Sequence, residues 1–385
     1  MHKRKLLTAG LLMAATTTAS AIPYGFFDAR SVAMGNVSVA TGNIATAALS
    51  NPAMMSVNES SDSFALLFPA IGIQAADNGG IADLIDDYQV LEANAITGGA
   101  QTVADLNAIL TKLDDPNTFV GLNGNISAVL AYAGDDYSVA LSYRGVVDAT
   151  ARVNVTQLAV LPATQPAATL DAFGVAVQEI GVSFATEVSL FGMDISVGVT
   201  PKTVQVDLMT LNGVDLNTAD LGDSVSDSVE TNLGSFTTFD AGVAIGLTDG
   251  ITVGLVAKNI MEESLTDGTN TFNFGKQLRA GVAYHNELLT IAADMDLTET
   301  DLPTSTNANY ALGNASKTAA LGIEVDLGDI VQLRAGYQTN MANGATTPDL
   351  LSVGVGLWLG FHLDIAAVVG EDSSFGAFVQ TGFRF

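Results

Sequence analysis

The sequence predicts an all-β protein: a fourteen-stranded antiparallel transmembrane β-barrel, with an N-terminal hatch in the lumen and a short helical extracellular insertion. Three observations lead there. The chain is apolar for its length, with mean hydropathy +0.35 and only 14% charged residues, where a soluble protein usually carries about 25%. Past its first twenty-odd residues it has no run of the roughly 18 apolar residues that a membrane helix needs. From Asn123 onward, apolar and polar residues alternate with period two. Lipid cannot satisfy backbone polar groups, so a membrane chain without spanning helices crosses as a closed barrel.

Residues 1–21 read as a secretory signal peptide. Lys3, Arg4 and Lys5 precede the apolar run Leu6–Ala15, and Ala19-Ser20-Ala21 offers small residues for cleavage. The mature chain then starts near Ile22. It loses three basic residues and no acidic ones, which moves the net charge from −27 to −30. Such acidity excludes nucleic acid as a partner, because nothing would neutralise its phosphates. The chain has no cysteine, which rules out thiol redox chemistry and Cys-ligated metal. Asp215–Glu230 is acidic but lacks the spacing of a calcium loop, so it reads as a solvated loop. No metal or cofactor is expected.

Residues 22–60 form the predicted hatch. Its centre, Ala29–Ala53, is rich in Gly, Ala, Ser and Asn, poor in charge, and has no period long enough to stand alone. It is too apolar for a solvated tail, so it must pack inside something larger, the barrel of residues 61–385. The first strand is Asp62–Ala75. The connection 76–122 then carries two stretches of helical spacing, Ile81–Ala95 and Thr102–Leu113, read as a helical cap over the barrel or as a hydrophobic capture surface. The other strands are Asn123–Tyr132, Tyr137–Thr150, Val175–Leu190, Asp194–Leu208, Thr237–Leu247, Thr252–Ile260, Phe272–His285, Leu288–Leu297, Lys317–Leu327, Val331–Thr339, Leu350–Leu359, Phe361–Val369 and Ser374–Phe385.

Short turns alternate with long polar segments such as Ala151–Gly174 and Met209–Phe236. This is the pattern of an outer-membrane barrel with short periplasmic turns. An even strand number puts both termini in the periplasm of a bacterial cell. The outward faces suit lipid and lipopolysaccharide. The inward faces are small or polar, with glycines at 242, 246, 254, 281, 322, 336, 354, 356, 376 and 382. A lumen with so little side chain is one that must admit a backbone. The last strand ends on Phe385, as in strands that the outer-membrane assembly machinery reads as a C-terminal signal.

Several charged residues fall on inward positions: Asp240, Lys258, Arg279, Asp294, Asp296, Glu324, Arg334 and Asp364. A two-residue turn at Asn286-Glu287 would set Arg279 opposite Asp294, and a three-residue turn at Gly328–Ile330 would set Glu324 opposite Arg334. Buried charges need partners. These four read as ion pairs holding the hatch, with capture of a ligand's carboxylate by Arg279 or Arg334 as the sharper alternative. Pro69 and Pro201 each delete a ladder bond from a predicted strand, giving a bulge or a lateral gap for an apolar ligand. The mature chain's two histidines, His285 and His362, have no nucleophile beside them in sequence, and no catalytic set emerges.

With hatch, barrel and terminal Phe in place, the sequence resembles the FadL superfamily of plugged fourteen-strand barrels. Within that superfamily it looks most like the outer-membrane TraF-type conjugal transfer proteins. The carrying stretches are Ala29–Gly35 with Asn51-Pro52-Ala53, then Gly198–Lys202, Gly254–Ile260, Arg279–Asp296, Gln332–Asn340 and Leu350–Leu359. The resemblance implies a hatch carried by Arg30, Met34, Gly35, Asn51, Pro52 and Ala53, and passage of small hydrophobic molecules such as long-chain fatty acids by a lateral route. The alternative is a structural component of a conjugal-transfer or secretion assembly without transport activity.

Overall fold

Fourteen strands close on themselves. They are β1 (Phe64–Asn78), β2 (Phe119–Ala133), β3 (Ser138–Gln157), β4 (Ala167–Leu190), β5 (Met193–Asp215), β6 (Val229–Thr248) and β7 (Ile251–Lys258). Then come β8 (Gln277–His285), β9 (Leu289–Asp296), β10 (Thr318–Leu327), β11 (Val331–Asn340), β12 (Leu350–Trp358), β13 (His362–Gly370) and β14 (Phe375–Arg384). Every neighbouring pair is antiparallel, and β14 returns to β1, so no barrel edge is left open. The structure is a computed structural model that describes residues 19–20, 24–25, 27–57, 63–95, 100–115, 117–160, 166–190, 193–216, 229–301, 304–305, 315–328, 330–343, 349–371 and 373–385. The signal-peptide reading, Ala19 and Ser20 apart, and most of the acidic loop lie outside the described residues.

Alternation sorts the two faces as the sequence predicts. Along β9, Thr290, Ala292, Asp294 and Asp296 are buried inward while Ile291 and Met295 are exposed outward. The outward belt is strongly apolar: Ile180, Leu321, Leu351 and Val353 are 57%, 57%, 58% and 59% exposed. A continuous apolar surface of this kind is built for a bilayer. Among the described residues no helix is long and apolar enough to cross a membrane; the strands do so.

The wall is uneven. Strands β7, β8, β9, β12 and β13 have 8 or 9 residues, close to the 9–11 or so that a bilayer requires. Strands β3 to β6 have 20, 24, 23 and 20. Much of the expected loops Ala151–Gly174 and Met209–Phe236 is therefore strand. Above a bilayer both faces of a hairpin can be polar, so the two-residue period fades although pairing continues. The expected strand Phe272–His285 is also divided. Asn270–Phe274 pairs with Glu263–Thr266 in a separate hairpin, and β8 begins at Gln277.

Two helices follow β1 where helical spacing predicts them: α2 (Ile81–Ala95) and α3 (Ala100–Leu113), α1 being the short helix Ala29–Ala33 of the N-terminal segment. They do not cap the mouth. Ile81, Ile85, Tyr88, Leu106, Leu110 and Leu113 bury against Val153 and Ala168, with Val120, Val155 and Leu170 alongside. Val120 shares its face with the outward residues Leu122, Ile126 and Leu130. The helix pair thus leans on the outside of the tall wall. Asn107 fixes it there, its side chain bonding the Ala159 amide and carbonyl at 2.9 Å each.

Residues 27–57 run inside the barrel. The segment makes α1, capped by Asp28, whose carboxylate accepts from the Ser31 amide at 2.9 Å. It ends in a 3₁₀ turn, Pro52–Met55, capped by Asn51. Nearly all of it is buried against inward wall faces.

Candidate functional site

What holds the N-terminal segment begins with missing side chains. Gly35 has φ +73°, and a Cβ on it would lie 2.7–2.8 Å from backbone atoms of Leu321 and Tyr337. Across from it, a Cβ on Gly336 would overlap the Gly35 nitrogen and Met34 carbonyl carbon. Gly322 and Gly354 admit Met34 and Ala33 in the same way. On the opposite wall Gly242 and Gly198 admit Asn51-Pro52-Ala53, while Gly254 and Gly281 admit Val39. The expected inward glycines at 246, 376 and 382 do not touch the segment. The two stretches that carry the hatch reading therefore dock on opposite sides: Arg30, Met34 and Gly35 on β10–β13, and Asn51, Pro52 and Ala53 on β5–β7. Asn51 also donates to the Val39 carbonyl at 2.8 Å, tying the segment to itself.

Three charged groups complete the seating. In the first, Arg30 donates to both oxygens of Glu324 at 2.9 and 2.8 Å and to the Thr41 carbonyl at 2.7 Å. Glu324 faces Arg334 directly across β10 and β11, the register the three-residue turn predicts, and accepts from it at 2.5 Å. Arg334 reaches over Gly356 to Asp364 at 2.5 Å. Asp364 accepts from Gln380 at 2.8 Å, and Gln380 accepts from the Ala29 amide at 2.7 Å. This is a ring that leaves the segment, crosses five strands and returns to it.

In the second group the register differs from expectation. The turn after β8 takes four residues, closed by the Asn286 amide donating to the Leu289 carbonyl, so Arg279 faces Asp296, not Asp294. The guanidinium nevertheless spans both carboxylates, at 3.4 Å to Asp294 and 2.9 Å to Asp296. Asp294 in turn accepts from the Ser38 and Val39 amides at 2.7 and 3.0 Å.

The third group includes residues that the reading of inward positions missed. Lys202 bridges Glu179 and Asp240 at 3.2 and 3.1 Å, Arg144 lies 3.7 Å from Glu179, and Lys258 donates to the Leu49 carbonyl at 2.6 Å. Tyr24 and Phe27, edge to face at 4.8 Å, offer their rings to these cations. Arg144 and Lys258 sit 4.9 and 4.4 Å from the Phe27 centroid, and Arg279 sits 4.7 Å from that of Tyr24. A signal for Arg144 was present, since it continues the inward series Ser138, Ala140, Ser142.

The two prolines differ. Around Pro69 the register shifts on both flanks of β1, yet pairing resumes at once; it is a bulge. At Pro201 the β5–β6 ladder continues through Phe239, while β4 and β5 lose their pairing between Gly181↔Lys202 and Phe184↔Val199. Ser183 and Thr200 hydroxyls meet there at 2.8 Å. Outside the break, Val182, Phe184 and Val199 face the lipid belt. Inside it lies a void of about 10 Å³ bordered by Gly181, Thr200, Lys202 and Arg144. A larger cavity of about 370 Å³ lies at the short-turn end, between residues 40–46 and the rim formed by His285, His362 and Arg384. His362 accepts from Arg384 at 2.8–3.1 Å. Among the described residues no group of three His, Asp or Glu is placed to hold a metal ion.

A family model described as "F plasmid transfer operon, TraF, protein" matches residues 48–296. No curated protein matches the chain. Solved structures share the fold. The Ralstonia pickettii toluene transporter TbuX has 13% identity and a TM-score of 0.56, covering 94% of this chain and 98% of its own. The Pseudomonas putida toluene transporter TodX has 14% identity and a TM-score of 0.52, covering 94% and 99%. A Pseudomonas aeruginosa FadL homologue has 13% identity and a TM-score of 0.51, covering 95% and 99%. At these identities the likeness is one of fold.

Proposed function

The chain belongs to the family of F plasmid transfer operon TraF proteins, and from that footing we propose that it is an outer-membrane channel for small hydrophobic molecules. In this reading the N-terminal segment is a hatch. The short turns and both termini face the periplasm, and the tall wall and helix pair face outward. Outer-membrane lipid and lipopolysaccharide surround the belt, and the C-terminal strand, ending on Phe385, serves recognition by the assembly machinery. No step of the reading requires catalysis.

The observation that carries it is the break between β4 and β5. The ladder skips two successive pairs there without changing register, a short seam in the lipid belt where Pro201 supplies no N–H. Behind the seam lie a void and then the apolar inward faces of the tall wall, Val204, Val206 and Leu208 opposite Val177 and Val175. A molecule held on those faces has a sideways path to the bilayer. The fold is shared with the toluene transporters TbuX and TodX, which supports the same reading.

One observation favours the alternative, a structural component of a transfer or secretion assembly. The voids beside the third charged group, behind the break, are only about 10 Å³ each. The two readings separate by mass spectrometry of lipid extracts from the purified protein and from a variant lacking residues 22–57. A stoichiometric hydrophobic molecule present in the intact protein and lost in the variant is expected. An empty protein that also fails to retain added toluene or fatty acid would refute the channel and leave the structural role.

A further inference from the structure

The apolar recess on the tall wall is already filled. Phe173, Val175 and Val177 of β4 and Val204, Val206 and Leu208 of β5 are buried in one cluster that faces the lumen, with Leu233 and Phe236 of β6 beside it. The hairpin between β7 and β8 turns inward and covers this cluster with Phe272 and Phe274, which are 3% and 4% exposed. Phe272 stacks parallel to Phe173 at 6.0 Å, and Phe274 meets Phe236 at 5.0 Å. The hairpin is well formed in itself. Its tip closes through Asp267, whose carboxylate accepts from the Thr269 and Asn270 amides at 2.8 and 2.7 Å. Asn270 and Thr271 pair with Thr304–Ser305. Against the recess its grip is apolar, the rings of Phe272 and Phe274 with the partly buried Leu265 beside them.

Those contacts are the kind a bound hydrocarbon would make. We propose that the Glu263–Phe274 hairpin is a self-occupying lid, and that a flat, uncharged aromatic molecule enters the recess by taking the places of Phe272 and Phe274. The residues clustered in the recess are apolar, and charge stands at its deep end. There, a void of about 10 Å³ is bordered by Phe274, Val177, Phe27, Arg144 and Lys258. These cations already lie over aromatic faces, so the deep end rewards a π-system and gives a saturated ring of equal size nothing extra. The inference rests on the channel reading and adds the ligand class and the element that regulates entry.

Self-occupancy lowers apparent affinity, because only the fraction of molecules with the lid raised can bind. The test uses the full chain in nanodiscs, with toluene and methylcyclohexane as probes and headspace analysis of retained hydrocarbon. Phe272→Ser with Phe274→Ser is expected to retain toluene about tenfold more tightly than wild type, and toluene should exceed methylcyclohexane by roughly three- to tenfold. The chain has one tryptophan, Trp358. In a Trp358→Phe, Phe272→Trp variant the new indole reports the lid, and its emission should move to the red as toluene displaces it into water. This readout stands even if the double serine variant fails to fold. Toluene retention with no movement of that emission overturns the lid and leaves the channel intact. Equal retention of both probes overturns the aromatic assignment. Retention of neither probe by wild type or by either variant overturns the channel reading itself.

Discussion

Asp294 is the place to measure how the N-terminal segment is held. Its side chain is fully buried, spans to Arg279, and accepts from the consecutive amides of Ser38 and Val39 at 2.7 and 3.0 Å. In Asp294→Ala both amides lose their acceptor inside the barrel. Each buried unpaired group costs about 1–3 kcal/mol, so the pair costs about 4 kcal/mol, which is about 700-fold in the docking equilibrium. Arg279 confuses the result little, because it keeps Asp296 at 2.9 Å and the Thr318 hydroxyl at 2.8 Å. Asp294→Asn keeps an oxygen in place and loses only the charge, a cost of about 1 kcal/mol or roughly fivefold. Hydrogen exchange read by mass spectrometry, in nanodiscs, reports the equilibrium directly. Peptides from residues 27–57 should exchange faster in the order Ala, Asn, wild type, while peptides from β10 to β13 stay unchanged. If the alanine variant exchanges no faster than wild type in residues 27–57, Asp294 does not hold the segment and the reasoning fails.

Other substitutions test neighbouring parts of the structure. Gly35→Ala places a Cβ at φ +73° and 2.7–2.8 Å from the wall; the backbone term alone is about 1–2 kcal/mol, and single-channel conductance should rise toward that of the variant lacking residues 22–57. Pro201→Ala returns an N–H to β5 at the broken ladder; one net hydrogen bond of about 1 kcal/mol should slow exchange at Val182 and Ser183 roughly fivefold and slow loss of bound toluene. Leu110→Asp buries a charge under the helix pair, where Leu110 is 0% exposed, at a cost of several kcal/mol. Trypsin should then cut after Lys112, while the barrel keeps its heat-dependent mobility on SDS gels.

The barrel was legible because lipid and lumen impose opposite demands on alternate residues, and a two-residue period records that directly. The face assignments of β9, β11 and β12 needed nothing else. Register was legible only where turn length was. Gly328–Ile330 gave Glu324 opposite Arg334, whereas the turn at Asn286 used two more residues than expected and moved Arg279 to Asp296. The strand extensions above the belt were hidden, because no lipid there forces one face to be apolar. The position of the helix pair was hidden for a related reason. Helical spacing states that a face will be buried but not against what, and the partner face at Val120, Val153 and Val155 continues the lipid-facing side. At the candidate site, the glycines announced that a backbone would enter. Arg144, Glu179 and Lys202 lie inside the expected strands; the long connection between β3 and β4 hid the register that sets Arg144 opposite Glu179.

The bond from the Ala29 amide to Gln380 joins residues 351 positions apart, and it sets a timetable for making the protein. The receiving side chain lies on β14, the last strand synthesised, and β14 is also the strand that zips onto β1. Until that strand arrives, the ring through Glu324, Arg334 and Asp364 lacks its final member. Seating the interior and sealing the cylinder are thus a single event at the end of assembly. A chain that stops short of Gln380 forfeits both together, so an incomplete barrel is marked as incomplete from within.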